Sequence, residues 1–459
     1  MKSIVWQCVG GATVGLALLA MAADPPSFKD LRYEEDSAAY GDVEATSLLG
    51  SAKYISLNEE GTSFLSLGGQ LRARFESWDN FGFNPANQDE FALFRIRLHG
   101  DLHLGSHVRA FVEARSAEAT DRDLPGGRRV TDVDSLDLQN AFLDLAHDVA
   151  GWNATLRLGR QELLYGAQRV VHPSDWANAR RTFDGARAIF ERGAWRVDVF
   201  AVRPVIVKKY EFNEWDRDQD LYGVYATRAV KDLKLKYDVY LLRLDRDNLP
   251  TGDDERYTAG LRVAGTCLLT GIEYDLEGGW QFGDAGDNDV RAWFGTATAG
   301  YSFNDLVAKP RIGLGYDYAS GDSHPEDGTV KTYNQFFPAG HAHLGLMDMM
   351  GRQNIQDFSQ SLALWPIEKK LQLRVDHHFF WRAEREDAAY NAAGGILRDA
   401  DASASREIGS EVDVTAVWSV NRNTSLQLGY SRFIAGDFIK ETGPSDDVDF
   451  YYASMQYTF

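Results

Sequence analysis

Apolar and polar residues alternate, one by one, in segments that recur along most of this 459-residue chain. From Leu65 to Phe75 every second residue is apolar or small, while the residues between them, Ser66 to Arg74, are mostly polar or charged. Successive side chains of an extended strand point to opposite faces, so each segment predicts a strand with one apolar and one polar face. Further segments of this kind are 94–101, 108–115, 155–158, 233–239, 272–277, 371–376 and 411–418.

The spacing of these segments predicts the fold. Continuous apolar runs, which strands buried on both faces require, are missing, and this argues against a large soluble β protein. The segments number about eighteen, an even number as in bacterial outer-membrane barrels, and their connections alternate between short and long. The short connections lie near 105–106, 149–151, 192–194, 230–232, 267–270, 304–307, 368–370 and 420–422. The long connections lie near 79–89, 119–134, 164–182, 204–219, 245–255, 284–289, 321–353, 386–407 and 437–447. The predicted fold is all-β: a single transmembrane antiparallel β-barrel of about 18 strands, with short periplasmic turns and long extracellular loops.

The last nine residues form the closing strand in this interpretation. One face, from Tyr451 to Phe459, is apolar with aromatic ends, and the other face, from Tyr452 to Thr458, carries hydroxyl and amide groups. An open strand edge is not tolerated in lipid, so this strand needs a partner. We expect it to pair with the first strand, residues 65–76, and to be recognised by the barrel assembly machinery. The alternative is an ordinary terminal strand of a β-sandwich.

The N-terminal residues predict export. An apolar run, Ile4 to Ala23, follows Lys2 and contains a small-residue cleavage site, Ala-Met-Ala, at residues 20–22. This pattern is typical of a signal peptide, the alternative being an uncleaved anchor. The predicted divisions are a signal peptide (1–22), a periplasmic N-terminal segment (23–62) and an outer-membrane barrel (63–459).

Composition narrows the choice of partners and compartment. The net charge of -20 argues against a nucleic-acid partner. Cys8 lies in the predicted signal peptide, so Cys267 is the only cysteine of the mature chain and no internal disulfide is possible. The 25 Phe, 20 Tyr and 11 Trp residues are sufficient for aromatic girdles. We expect the protein in the outer membrane of a Gram-negative cell, in contact with lipid and lipopolysaccharide.

We predict neither a catalytic nor a metal site. His99 and His103 share a strand face with Asp101, but spaced polar residues of a lumen do so without chemistry, and no Gly-x-Ser-x-Gly motif is present. His341 and His343 form a His-x-His pair that lacks a third ligand at useful spacing. We therefore expect no enzyme activity, no metal and no cofactor.

The predicted inward face is charged. The first strands place a basic wall there, formed by Arg72, Arg74, Arg95, Arg97, Arg109, Arg115 and Arg157. An acidic counterpart lies farther round, formed by Glu273, Asp275, Glu277, Glu411 and Asp413. Two interpretations are open: the arginines form a path for anions, or the charges pair across the lumen and only keep it wet.

The long connections also carry two interpretations each. Residues 164–182 contain Trp176 followed by Arg180 and Arg181, and this loop either folds inward and constricts the pore or lies outside, packed on its own tryptophan. The longest connection, 322–353, predicts a lid or a loop folded into the lumen. Acidic runs near 211–220, 245–255 and 284–289 predict solvated loops or divalent-cation binding beside lipopolysaccharide.

Four stretches resemble the alginate export family of outer-membrane barrels: LRLGRQELLYGAQRVV (156–171), WANARRTFDGAR (176–187), FNDLVAKPRIGLGYDYASGD (303–322) and YNQFFPAGHAHLGLMDMMGRQNIQDF (333–358). The resemblance implies an 18-stranded barrel with many lumen arginines that conducts an anionic uronate polymer outward. The matching arginines implied here are Arg157, Arg160, Arg180, Arg181, Arg187 and Arg352.

Alternation and resemblance together define a predicted substrate path. Its residues are Arg72, Arg74, Arg95, Arg97, Arg115, Arg157, Arg160, Arg180, Arg181, Arg187, Arg352 and Arg374. The expected function is passage of an anionic polysaccharide or oligosaccharide, with periplasmic export proteins as possible partners. The alternatives are an uptake porin for small anionic solutes and a plugged structural or adhesion barrel.

Overall fold

Eighteen antiparallel strands form one closed barrel in the computed structural model, which describes residues 26–42, 48–124 and 126–459. The predicted signal peptide and Cys8 lie outside the described residues, as does part of the predicted N-terminal segment. The barrel strands are β1 (Ser63–Asp79), β2 (Asp89–Leu104), β3 (Val108–Ala119), β4 (Asp134–Val149), β5 (Trp152–Gln161), β6 (Phe183–Arg192), β7 (Trp195–Ile206), β8 (Gln219–Val230), β9 (Leu235–Arg246), β10 (Asp254–Thr266), β11 (Glu273–Ala285), β12 (Asn288–Ser302), β13 (Arg311–Ala319), β14 (Ile355–Ile367), β15 (Leu371–Arg382), β16 (Glu407–Ser419), β17 (Thr424–Ala435) and β18 (Val448–Thr458).

The remaining described elements are short. Two- and three-residue strands lie at Ile55–Ser56, Glu214–Trp215, Thr329–Val330, Ala389–Tyr390 and Ile396–Arg398. α-Helices lie at Leu48–Ser51 and Asp437–Thr442, and 3₁₀ turns lie at Arg32–Glu34, Ala38–Asp42, Phe81–Phe83, Lys231–Leu233 and Gly340–Ala342. Within the described ranges, none of these helices has the length and apolar character needed to cross a bilayer.

The last strand closes the barrel against the first, as predicted. Gln70 lies opposite Thr458 at one end of the β1–β18 ladder, and Asp79 lies opposite Asp449 at the other. Beyond β18, the N–H of Phe459 donates to the Gly69 carbonyl at 3.0 Å, and the Gly69 N–H donates back at 2.9 Å. Closure therefore satisfies the backbone groups of both terminal strands, which an open sheet in lipid would leave unpaired.

The two faces of the strands are also as the alternation predicted. On β1 and β2 the apolar side chains of Leu71, Phe75 and Phe94 point outward and are 42–49 % exposed. Arg95 and Arg97, between the outward positions of β2, are almost fully buried inside. The outer face is thus the lipid-contacting face and the inner face encloses the charges.

The predicted short connections have two to eight residues, but one predicted long connection is not long. Only Gly286 and Asp287 join β11 to β12. The ladder continues to Asp284 opposite Asp289, so these carboxylates belong to strand ends rather than to a loop. Strands of an outer-membrane barrel extend beyond the lipid-facing band, and their residues there are polar. Acidic residues therefore do not mark a loop by themselves, and the prediction of a long connection at 284–289 was wrong.

The third long connection, residues 162–182, folds into the lumen. Its flanking strands β5 and β6 are the shortest but one in the barrel, with ten residues each, against 17 in β1. Gly159 and Gly185 lie opposite each other on these strands with φ of +125° and +155°. A Cβ at either glycine would lie 2.3 Å from a carbonyl oxygen of a neighbouring strand. This backbone conformation, which L side chains rarely adopt, lies where the chain leaves the wall.

Glu162 anchors the start of this inward loop. Its Oε1 accepts hydrogen bonds from Arg180 Nε at 2.5 Å and from Gln139 Nε2 at 3.0 Å. Its Oε2 accepts from Asn140 at 3.1 Å and from Arg97 at 3.4 Å. The side chain is fully buried, so one carboxylate joins the loop to β2 and β4 inside the lumen.

We expect Glu162→Gln to destabilise the barrel and loosen the inward loop. Removing one member of a buried ion pair leaves the other charge uncompensated, which costs about 3–5 kcal/mol, and the remaining carboxylates near Arg97 and Arg180 place the expected loss near the lower limit. The measurement is the temperature at which the compact, heat-modifiable band disappears on gels. Glu255→Gln, whose carboxylate pairs with Arg243 at the exposed rim, is the control. Equal melting of both variants would contradict the anchoring role of Glu162.

We expect deletion of Phe459 to impair assembly more than conduction. The deletion removes the two backbone hydrogen bonds to Gly69 and the terminal aromatic group, while the lumen side chains of β18 remain. The measurements are the folded fraction in outer membranes and the single-channel conductance of the protein that does fold. Tyr451→Ala, at the other end of β18, is the control. Normal insertion of the truncated chain would show that this residue is not required for recognition by the assembly machinery.

Candidate functional site

The inward loop lies against the predicted basic wall. Arg72 donates to the carbonyls of Asp175, at 2.8 Å, and Ala177, at 3.1 Å. Arg74 donates to the Trp176 carbonyl at 2.7 Å. Arginines of the first strand therefore bind the loop backbone directly, and the loop constricts the lumen as the inward alternative predicted.

The same loop reaches the acidic side of the lumen. Nη1 of Arg169 donates to Glu277 at 2.8 Å and to Asp275 at 3.1 Å, both on β11. The loop therefore crosses the lumen from β1 and β2 to β11. Two of the predicted acidic residues hold it in place.

The longest connection, between β13 and β14, also folds into the lumen. The His172 N–H donates to the Phe337 carbonyl at 2.8 Å, and this contact joins it to the third loop. At its other side, the Met347 N–H donates to Glu411 Oε1 at 2.9 Å, on β16. The two loops therefore support each other, and each is anchored by different predicted acidic residues.

Most predicted arginines have a carboxylate partner. Among the described residues, ten of the twelve lie within 4.0 Å of one, and Arg72 and Arg181 do not. The pairs are Arg74–Glu76, Arg95–Asp175, Arg97–Glu113, Arg115–Asp134, Arg157–Asp144, Arg160–Asp137, Arg180–Glu162, Arg187–Asp198, Arg352–Asp317 and Arg374–Asp376. Most partners lie on the same strand, on an adjacent strand or on an inward loop, so local pairing neutralises most of the basic wall.

Arg160 differs from its predicted position. It lies opposite Ala141 and Asp184, on the outward side of the sheet, whereas Arg157 on the same strand faces inward. Its guanidinium binds Asp184 at 2.8 Å and the carbonyl of Asn213 in an outer loop at 3.2 Å. Two residues three positions apart on a strand point to opposite faces, so the two arginines do not share the lumen.

A cavity of about 430 Å³ lies between the two loops and the closing strands. Arg72 and Arg74 of β1 form part of its wall. The other lining residues are Asp30, Gln168, His172, Ser174, Asp175, Trp176, Ala339, Gly340, His341, Ala342, Asp348, Ser425, Gln427, Ser454 and Gln456. Of the predicted path residues, the cavity unites only Arg72 and Arg74.

Trp176 joins both loops to the wall beside this cavity. The Arg74 guanidinium lies 3.7 Å from the centre of its ring, a cation–π contact. The His341 ring stacks on it with a centroid distance of 3.9 Å and an interplanar angle of 14°. His343, by contrast, donates to the Ala167 carbonyl at 2.6 Å, so the two histidines of the His-x-His pair have different partners.

His172 presents a neutral donor. Its Nδ1 accepts a hydrogen bond from the Ser174 N–H at 2.9 Å, which places the ring proton on Nε2. Burial and the charge of nearby Arg180 lower the pKa of His172 to about 4. The imidazole is therefore uncharged at neutral pH.

The N-terminal segment enters the barrel at the end with short turns. Tyr33 packs edge-on against Phe111 and Phe142, at centroid distances of 5.8 and 5.2 Å. Its hydroxyl donates to the Glu162 carbonyl at 2.6 Å, and Asp30 pairs with Arg180 at 3.0 Å. Alternation predicts no such docking, because the segment lacks period-two patterning.

Ser37, Asp101 and His103 meet where this segment docks. Ser37 Oγ donates to Asp101 at 3.0 Å and lies 3.4 Å from His103 Nε2. The same His103 nitrogen lies 3.1 Å from Asp101, so the ring does not connect the hydroxyl to the carboxylate through its two nitrogens. Arg109 also binds Asp101, at 2.7 Å, and the group functions as a clamp on the segment.

Solved porins of Pseudomonas aeruginosa share the fold. OpdO matches with a TM-score of 0.58 and 12 % identity, covering 86 % of this chain and 97 % of that protein. OpdK, with a TM-score of 0.57 and 11 % identity, covers 86 % and 99 %. OccD3 has a TM-score of 0.56 and 12 % identity, covering 89 % and 93 %. No curated protein matches the sequence.

Family membership follows from the sequence match rather than from these distant structures. The alginate export family matches residues 63–452, which is nearly the whole barrel. The match includes all eighteen strands up to the last residues of β18. The protein is an outer-membrane barrel of the channel-forming type, and it belongs to the alginate export family.

Proposed function

We propose that this barrel passes an anionic saccharide of the alginate type, a uronate polymer or oligomer, through its lumen. The observation that carries the proposal is Arg72. It lines the cavity, and among the described residues it has no carboxylate of its own. A guanidinium stays charged and binds a carboxylate through a planar fork, and each uronate residue supplies one carboxylate.

The pairing of the other arginines supports this assignment. Arginines that are paired with a carboxylate add little net field, so they attract anions weakly. Arg181, the other predicted arginine without a carboxylate, donates to the His172 carbonyl at 3.0 Å and does not line the cavity. Arg72 is therefore the cation that we assign to the substrate, whose carboxylate would replace loop carbonyls that its two Nη atoms now bind. Transient binding at such a group favours passage over retention.

An uptake porin for small anionic solutes is the second candidate. The two inward loops narrow the lumen, which favours small solutes over a polymer. OpdK, one of the similar structures, was also solved with vanillate. For polymer export we propose periplasmic export proteins as partners, whereas uptake requires none.

We expect polyuronates to block the open channel in a lipid bilayer, with stronger block as the chain lengthens, and neutral glucans of equal length to block weakly. Arg72→Gln should raise the blocking concentration of a polyuronate because it removes the cation of the cavity. Arg228→Gln carries the same charge change on the outward face of β8, where Arg228 lies over Trp195, and is the control. Equal block by polyuronates and glucans would defeat the saccharide proposal, and block by small carboxylates alone would favour the uptake porin.

The remaining alternative, a plugged barrel, depends on the N-terminal residues 26–42. We expect a chain without residues 26–42 to conduct more than the full chain, because these residues occupy the mouth beside Phe111 and Phe142. The measurement is single-channel conductance, with Tyr33→Phe as the control because it keeps the ring packing and removes only the hydroxyl. Absence of conductance in both the full and the shortened chain would favour a structural or adhesion barrel.

A further inference from the structure

We propose that the cavity beside Arg72 is a saccharide subsite in which uncharged side chains of β17 and β18 bind sugar hydroxyls. These side chains form a polar patch made of Ser425, Gln427, Ser454 and Gln456. The inference rests on the proposed function and extends it, because it assigns recognition of the sugar ring to residues outside the predicted path. None of the four is an arginine or a carboxylate.

The barrel register brings the polar patch together. Ser425 lies opposite Gln456 and Gln427 lies opposite Ser454 on adjacent strands, so the four side chains form two neighbouring rows. On the other side of β18, Gln456 lies opposite Arg72. Directly opposed side chains in a sheet have Cβ atoms about 4.5–5.5 Å apart, within reach of one sugar residue. A uronate carboxylate at Arg72 therefore places its ring next to the polar patch.

The polar patch has unused hydrogen-bonding capacity. In the described part of the chain, the side chains of Ser425, Ser454 and Gln456 make no hydrogen bond, and all three are half-buried in the cavity wall. Gln427 donates only its amide N–H, to the Tyr452 hydroxyl at 2.8 Å, which leaves its carbonyl oxygen free. Hydroxyls and carboxamides both donate and accept, as sugar hydroxyls do.

The opposite side of the cavity determines how the sugar is held. Trp176 offers no free platform for a sugar ring, because the Arg74 guanidinium, at 3.7 Å, and the His341 ring, at 3.9 Å, already stack on its indole. His172 adds a neutral Nε2–H donor. Recognition in this cavity therefore depends on hydrogen bonds rather than on an aromatic platform.

The size of the cavity agrees with a small ligand unit. Ligand pockets are about 300–1,000 Å³, and at about 430 Å³ this cavity lies near the lower end of that range. It holds a short segment of a saccharide at one time. The polar patch then selects hydroxylated carboxylates over carboxylates that lack hydroxyl groups.

The test compares two anionic blockers in the full-length barrel. An oligouronate of defined length offers carboxylates and hydroxyls, whereas polyglutamate of matched charge offers carboxylates without sugar hydroxyls. The patch variant is Ser454→Ala with Gln456→Leu. We expect it to raise the blocking concentration of the oligouronate by roughly tenfold, as loss of one or two hydrogen bonds predicts, and to leave block by polyglutamate unchanged.

The control keeps the same chemistry at another wall. Gln372 of β15 also faces inward, is half-buried and makes no side-chain hydrogen bond among the described residues, so Gln372→Leu matches Gln456→Leu outside the cavity. Gel mobility and open conductance equal to those of the unmodified barrel establish that the variants are folded. Oligouronate block of the unmodified barrel with no change in the patch variant would overturn the subsite alone. If the patch variant weakens block by both probes, recognition of the hydroxyls is overturned. If the oligouronate does not block the unmodified barrel, the proposed function is overturned together with the subsite.

Discussion

The hydrogen bonds between β1 and β18 are the constraint on which the rest of the structure depends. Ten residue pairs, from Gln70–Thr458 to Asp79–Asp449, join the two ends of the sheet. In lipid each unpaired backbone N–H or C=O group costs on the order of several kcal/mol. An open edge would leave a row of such groups, so a spanning sheet is stable only when it is closed. Closure also separates two environments. The outward side chains face hydrocarbon, and the inward side chains share an enclosed space in which their charges must be balanced.

The need to balance charges inside the lumen explains why the loops fold inward and bind its walls. An isolated guanidinium or carboxylate in a narrow lumen is poorly hydrated, and pairing with an opposite charge or with peptide carbonyls compensates for the loss. The wall arginines Arg72 and Arg95 bind carbonyls of the third loop, while Arg169 of that loop binds the carboxylates of β11. Thus the basic and acidic walls, which a path for anions would leave open, are largely joined by one chain segment that crosses between them.

Local periodicity predicted what depends on neighbours along a strand, and it did not predict contacts between distant residues. The alternation predicted the outward Leu71 and the inward Arg95, because these follow from the two-residue period of a strand. Pairing of the last strand with the first was predicted from the need to close the sheet in lipid, and the register came only with the structure. Docking of Arg169 on Glu277 joins residues 108 positions apart, and no periodic signal records such a pair. The resemblance assigned Arg160 to the pore by its place in a motif, whereas strand geometry turns it outward.

The N-terminal segment places a carboxylate, that of Asp30, inside the lumen. Asp30 pairs with Arg180 at 3.0 Å and also lines the cavity that holds Arg72. A uronate offers the same carboxylate group that Asp30 places there, with hydroxyls in addition. Exchange of one carboxylate for another leaves the charge beside Arg180 unchanged. On the proposed function, an anion can therefore enter beside Arg180 by exchange with the Asp30 carboxylate.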